Sequence, residues 1–211
     1  AEPGYATLFR SDPPAFANYP MTDRLPRRTS DAHGVVYVGD ITEARGAALL
    51  VEAVWMLDGV RLTMIGRCAD PLAQRLVAAA DRASIPLELT GFLPYEEAWA
   101  LASRSLIGVS PLLDTPNYRD SRPTKLIEYR AVGLAVVATD LPGSAPFADG
   151  PACTLVPPGD AGLLASAIAS LLDDMDAQEA ALADVEAVRE AYAWDADRFG
   201  EYYDSLVTSY R

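Results

Sequence analysis

The sequence predicts an α/β fold: a Rossmann-like, doubly wound parallel sheet of about six strands with helices on both faces. Three observations lead there. Short apolar runs alternate with helical patterns from Gly34 onward. The first of these runs, Val35-Val36-Tyr37-Val38, is apolar throughout rather than alternating, as in a strand buried on both faces. Three of them end at glycine, at Gly39, Gly66 and Gly91, where a strand gives way to a turn.

Each element follows from its residues. Residues 1–33 hold Pro3, Pro13, Pro14, Pro20 and Pro26 with the basic run Arg24, Arg27, Arg28, and show no periodicity. They are expected to be an irregular tail or linker. Val35-Val36-Tyr37-Val38 reads as the first strand, and Ala47, Leu50, Val51, Val54 and Trp55 have helical spacing. A strand over 61–66 precedes Asp70-Pro71, an N-cap followed by a first-turn proline, which opens a helix to Ala83. Leu87–Thr90 is the third strand, and Pro94 opens a helix through Ala98, Trp99 and Leu101. Leu106–Ser110 is the fourth strand, followed by a long loop to Arg122 and a helix from about Pro123 to Val132, stopped by Gly133. Strands over 135–139 and 153–156 complete the sheet. Asp160 caps a helix bearing Leu163, Leu164, Ala167, Ile168, Leu171 and Leu172, and helical stretches cover roughly 176–192 and 195–209. The predicted division is a tail over 1–33, one Rossmann-like domain over 34–193 and a terminal helix over 194–211.

Composition narrows the function. A chain of 211 residues that is 50% hydrophobic can bury a normal core, which excludes global disorder. With 17 basic against 30 acidic residues the net charge is −13, which repels a phosphate backbone and argues against nucleic-acid binding. No apolar run approaches the roughly 18–20 residues of a membrane span. The N-terminal AEPGYATLFR has neither a basic n-region nor an apolar h-region. Cys68 and Cys153 give no disulfide framework and no zinc spacing, so a cytoplasmic setting is expected. His33 is the only histidine, which disfavours a Ser-His-Asp triad. Lys125 is the only lysine among basic residues that are otherwise all arginine.

In open parallel sheets, ligands bind beyond the carboxyl ends of the strands, at helix N-termini. Four loops qualify: 39–46, 66–70, 91–94 and 110–125. The first, Gly39-Asp40-Ile41-Thr42-Glu43-Ala44-Arg45-Gly46, is not G-x-G-x-x-G, so an NAD-dependent dehydrogenase is disfavoured. Arg45 at a helix head can meet a phosphate or remain a solvated partner of Glu43. The loop 110–122 is long for a compact domain and leads into Thr124-Lys125-Leu126-Ile127-Glu128-Tyr129. A lysine in a first helical turn works against the helix, which favours an anionic ligand there. Glu128, one turn on, can accept sugar hydroxyls or pair with Lys125 on the surface. The residues alone leave both alternatives open.

The segment Ser121-Arg122-Pro123-Thr124-Lys125-Leu126-Ile127-Glu128-Tyr129, continuing to Gly133 and Thr139, resembles the signature of the retaining family-4 (group 1) glycosyltransferases. Tyr37-Val38-Gly39…Arg45-Gly46, Gly91-Phe92-Leu93-Pro94-Tyr95-Glu96-Glu97 and Leu155-Val156-Pro157-Pro158-Gly159-Asp160 extend the match in the same order over about 35–207. The resemblance implies half of a two-domain GT-B enzyme, with a UDP- or GDP-type sugar bound in this half as substrate and no metal or cofactor implied. The family's two carboxylates stand eight positions apart, and Asp120 and Glu128 match them, with Asp in the first place where the family has Glu. By resemblance Asp120 and Glu128 are the catalytic pair. Gly39, Arg45, Lys125, Arg122 and Thr124 would hold the diphosphate, with Arg119 near them. Phe92, Leu93 and Glu128 would hold the base and ribose. Asp40 stands where the family often has Arg, and would repel phosphate.

On this reading the chain is a donor domain that is inactive without a preceding acceptor-binding domain, to which Asn18-Tyr19-Pro20 would lead and toward which Trp194…Phe199…Tyr202-Tyr203 would cross back. Two alternatives differ in kind. One is a sugar-nucleotide epimerase of the same architecture, whose catalytic histidines or carboxylates are not found here. The other is a non-catalytic nucleotide- or protein-binding module, whose mark would be residues 1–33 packed as a seal on the domain.

Overall fold

Alternate residues of each central strand point to opposite faces of the sheet, and both faces are buried. Val35, Tyr37, Ile107, Val109, Ala135 and Val137 belong to one apolar core, whereas Val36, Val38, Val136 and Ala138 belong to the other. The computed structural model describes residues 19–194 and 196–209, so the N-terminal part of the expected tail lies outside the described residues. The strands are β1 (Val35–Val38), β2 (Leu62–Ile65), β3 (Leu87–Gly91), β4 (Ile107–Ser110), β5 (Ala135–Thr139) and β6 (Cys153–Val156). They form one parallel sheet in the order β3-β2-β1-β4-β5-β6, which is the predicted Rossmann-like arrangement. Helices α1 (Ala47–Trp55), α2 (Asp70–Ala83) and α6 (Ala161–Asp173) cover one face. Helices α3 (Tyr95–Ala102) and α5 (Thr124–Val132) cover the other.

The strand order reverses between β1 and β4, and there the sheet opens. β1 pairs with β2 along its full length, but with β4 only at Val35↔Ile107 and Val36↔Gly108. Beyond that point the Tyr129 hydroxyl, from α5, fills the gap. It accepts from the Val38 amide at 2.9 Å and donates to the Val109 carbonyl at 3.3 Å. The ring reaches this position because residue 108 is glycine: a Cβ there would lie 2.3 Å from Tyr129 Cγ.

The structure departs from the sequence reading in three places. The loop after β4 contains a short helix, α4 (Pro116–Arg119). The helical stretch expected over 176–192 is divided into α7 (Met175–Ala183) and α8 (Val185–Ala191). At the break, Asp184 turns its carboxylate to Arg130, at 2.8 Å, in a largely buried ion pair joining α8 to α5. Asp70 is the first residue of α2 rather than its cap, which is Ala69. The last helix, α9, spans Ala196–Ser209.

Residues 19–33 are irregular apart from a 3-10 turn at Thr22–Arg24, yet they lie against the domain. Backbone amides of Arg28, Thr29 and His33 donate to Val132, Ser103 and Arg104 at 2.8, 2.9 and 2.9 Å. Arg189 ties the same stretch down, donating to the carbonyls of Leu25 at 2.8 Å and Ala131 at 3.0 Å. Leu25 is 4% exposed within the α3–α5 core.

Gly108→Ala should force the Tyr129 ring away from β1 and cost about 1–3 kcal/mol, in the range of an overpacked core. Urea denaturation measures it; an unchanged midpoint would show that Tyr129 is not held by this contact.

Candidate functional site

Four side chains meet where β1 and β4 part. β1 ends at Gly39, whose φ of +129° is a conformation that side chains rarely adopt. Its missing side chain leaves room for two cations. A Cβ on Gly39 would lie 3.1 Å from Lys125 Nζ and 3.4 Å from an Arg45 guanidinium nitrogen. Lys125 comes from the first turn of α5, and Arg45 from a 3-10 turn, Glu43–Arg45, leading into α1. The structure thus brings together Gly39, Arg45 and Lys125 from separate elements.

Neither cation is paired with a carboxylate among the described residues; each is held by a phenol. Lys125 Nζ donates to Tyr37 Oη at 3.2 Å and lies 4.2 Å from the Tyr37 ring centroid. Arg45 Nε donates to Tyr118 Oη at 3.2 Å. Burial, and next the Arg45 charge, lower the Lys125 ammonium from an ordinary 10.5 to about 7. Burial likewise pushes the Tyr37 phenol up to about 12. For Arg45 burial acts downward, but the tyrosine contacts outweigh it and its pKa is raised. Two cations close together, neither joined to a carboxylate in an ion pair, suit an anion.

The start of α5 adds to this field. Asp160 and Asp174 cap α6 and α7, accepting the amides of Leu163 and Ala177 at 2.9 Å each. α5 begins after Pro123 with no side-chain cap; Leu126 N–H donates to the Pro123 carbonyl at 3.0 Å, which leaves the amides of Thr124 and Lys125 at the helix start for a ligand.

One turn along α5, Glu128 faces a cleft of about 570 Å³ lined by Tyr19, Met21, Arg24, Pro94, Tyr95 and Thr124 among others. Tyr95 Oη donates to Glu128 Oε1 at 3.0 Å. Burial raises the Glu128 carboxyl, while the Tyr95 hydrogen bond and Lys125 act in the opposite direction. Glu128 and Lys125 are therefore electrostatic neighbours that are not joined in an ion pair.

The remaining sequence candidates are more dispersed. Asp120 is exposed just after α4, and its carboxylate has no hydrogen bond or ion pair among the described residues. The Arg122 guanidinium stacks over Tyr19 at 5.3 Å and over Phe147 at 4.9 Å. Arg119 pairs with Asp114 at 3.1 Å. Phe92 is 65% exposed with the Arg67 guanidinium 4.9 Å from its ring, while Leu93 packs against the α3–α5 core. Sequence reasoning missed Tyr37, Tyr95 and Tyr118. Tyr37 reads as an ordinary core aromatic of a strand, and nothing in the spacing marks the other two.

A reversal point bearing two cations outside any ion pair, an uncapped helix start and a nearby carboxylate suits an anionic ligand at the carboxyl ends of the strands, where open α/β sheets bind theirs. Residues 32–174 match the family described as Glycosyl transferases group 1, and the chain belongs to that family. No match was found among curated proteins. Among solved structures, sucrose-phosphate synthase from Thermosynechococcus elongatus is similar with a TM-score of 0.77 at 20% identity, over 98% of this chain and 56% of that one. Anabaena Alr3699/HepE in complex with UDP and glucose gives 0.75 at 14% identity, over 89% and 56%. The C-terminal domain of a group 1 family glycosyl transferase, LpcC, from Francisella tularensis gives 0.65 at 15%, over 81% and 96%. At these identities the likeness is one of fold. The chain spans about 56% of the length of the first two proteins. Among the described residues no helix is long and apolar enough to cross a membrane, and no cluster of three His, Cys, Asp or Glu could hold a metal.

A lysine with a native pKa of about 7 binds fewer protons folded than unfolded between there and 10.5, so its share of stability rises with pH across that window. The native protein should therefore gain up to about 1 kcal/mol per pH unit from pH 7 toward about 9 relative to Lys125→Met, as read by denaturant titration. Parallel profiles for the two proteins would contradict the burial of an unpaired ammonium.

Proposed function

We propose that this chain is the donor-binding, C-terminal half of a retaining family-4 glycosyltransferase, and that it takes a UDP-type sugar nucleotide in the crevice between β1 and β4. The observation that carries this reading is the pair of cations, Lys125 and Arg45, unpaired with carboxylates and gathered over a glycine beside the open start of α5. A diphosphate supplies the missing counter-charge. Glu128, oriented by Tyr95, accepts the ribose hydroxyls, and the Phe92–Leu93 loop borders the base. The UDP and glucose held by the similar Anabaena protein support this choice of donor.

Transfer requires negative charge to build on the departing diphosphate. Lys125, Arg45 and the positive end of α5 are already oriented toward it, so little reorganisation is needed as the glycosyl bond breaks. Asp120, exposed and without a partner among the described residues, is left for the transferred sugar. The acceptor would come from a preceding domain, in keeping with the span of this chain on its neighbours, and the chain alone would transfer nothing. The exposed Phe199, Tyr203 and Val207, four residues apart on α9, suit a helix that crosses back to such a domain.

A second reading, a non-catalytic nucleotide-binding module, is favoured by one observation: residues 19–33 are laid onto the domain rather than standing free. Both readings place a nucleotide in the same crevice.

Calorimetric titration of the chain with UDP-glucose, GDP-glucose and NAD tests the assignment. UDP-glucose should bind saturably and NAD should not, and Glu128→Ala should weaken binding roughly tenfold, about 1.4 kcal/mol. A folded chain that binds no sugar nucleotide would refute the donor-site reading.

A further inference from the structure

We infer that Tyr37 is the positioning residue of the diphosphate subsite: its hydroxyl holds the Lys125 ammonium over Gly39 as a neutral partner, leaving the positive charge for phosphate. The inference deepens the reading above and rests on it. Tyr37 lies on β1 and is 1% exposed, so its ring is fixed by the core. Its hydroxyl hydrogen is given to the Asp40 carbonyl at 2.8 Å. The oxygen is therefore left to accept from Lys125 Nζ, at 3.2 Å. The Arg45 guanidinium also acts on this hydroxyl, and the chain Lys125–Tyr37–Asp40 carbonyl links the first turn of α5 to the loop after β1.

The choice of a phenol follows from what the subsite must do. A carboxylate in its place would neutralise the ammonium and compete with the ligand. An aliphatic side chain would leave a long, flexible lysine without a fixed position. The phenol orients the ammonium without cancelling its charge, and its ring face, 4.2 Å away, adds a cation–π attraction. The charged and titratable groups acting on Lys125 are Arg45, Glu128 and Asp40, besides Tyr37 itself. Arg45 and Lys125 repel each other across the site, so an ammonium that is not held would swing away from the place where both charges are wanted.

Tyr37→Phe keeps the ring and removes only the hydroxyl. Because Lys125 is the only lysine, carbon-13 lysine labelling gives a single ε-methylene signal whose pH titration reports this ammonium alone. The midpoint should fall in Tyr37→Phe by roughly one unit, because the charged form loses an acceptor. UDP-glucose affinity should fall roughly tenfold while the weaker binding of uridine, followed by NMR, stays the same. An unmoved midpoint overturns the inference, as does an equal loss for uridine and UDP-glucose, which would mark Tyr37 as structural only. A wild-type chain that binds no UDP-glucose would overturn the reading of the crevice instead; the midpoint comparison needs no ligand and separates the two failures.

Discussion

The hydroxyl of Tyr129 spans the gap where β1 and β4 separate, and the site is arranged around that bridge. Parallel strands whose order reverses must part, and parting leaves buried amides and carbonyls without sheet partners. One phenol satisfies Val38 and Val109 at once, and Gly108 lets its ring in. The same residue fixes α5 against the sheet in rotation and height. Lys125 and Glu128 lie one turn or less before it on the helix, so the bridge that closes the core also places the site's cation and carboxylate. Trp99 on α3 packs edge-on against the Tyr129 ring, 5.6 Å between centroids, and extends this anchor to the helix that carries Tyr95.

Within that frame the electrostatics are deliberately unbalanced. A protein of net charge −13 holds two cations in one pocket without an ion pair to either and partners both with tyrosines. Holding the Lys125 ammonium there costs stability, as its lowered pKa shows. Elsewhere buried cations are matched: Arg130 by Asp184, and Arg189 by backbone carbonyls.

The inner strands β1, β2, β4 and β5 were legible because each is a largely apolar run buried on both faces, a pattern with few alternatives. The sheet order was legible only as a class. Lys125 stood out as a lone lysine at the wrong end of a helix, and Glu128 by its spacing from it. The partners of these residues were not legible. Tyr37, Tyr95 and Tyr118 come from distant segments and act through their hydroxyls, contacts which no local spacing encodes. The stacking of Arg122 over Tyr19 and Phe147 was hidden in the same way, since these aromatic contacts arise only in the folded chain. The break at Asp184 was likewise hidden, since helical periodicity continues through it and only the Arg130 contact explains it.

Amide NMR during titration with UDP-glucose tests most directly whether the crevice at the sheet reversal is the ligand site. The account predicts saturable shifts at Gly39, Asp40, Thr124 and Lys125, with the groove between α1 and α2, around Val51 and Leu76, unmoved. Shifts confined to that groove, with Gly39 and Thr124 unmoved, would contradict it.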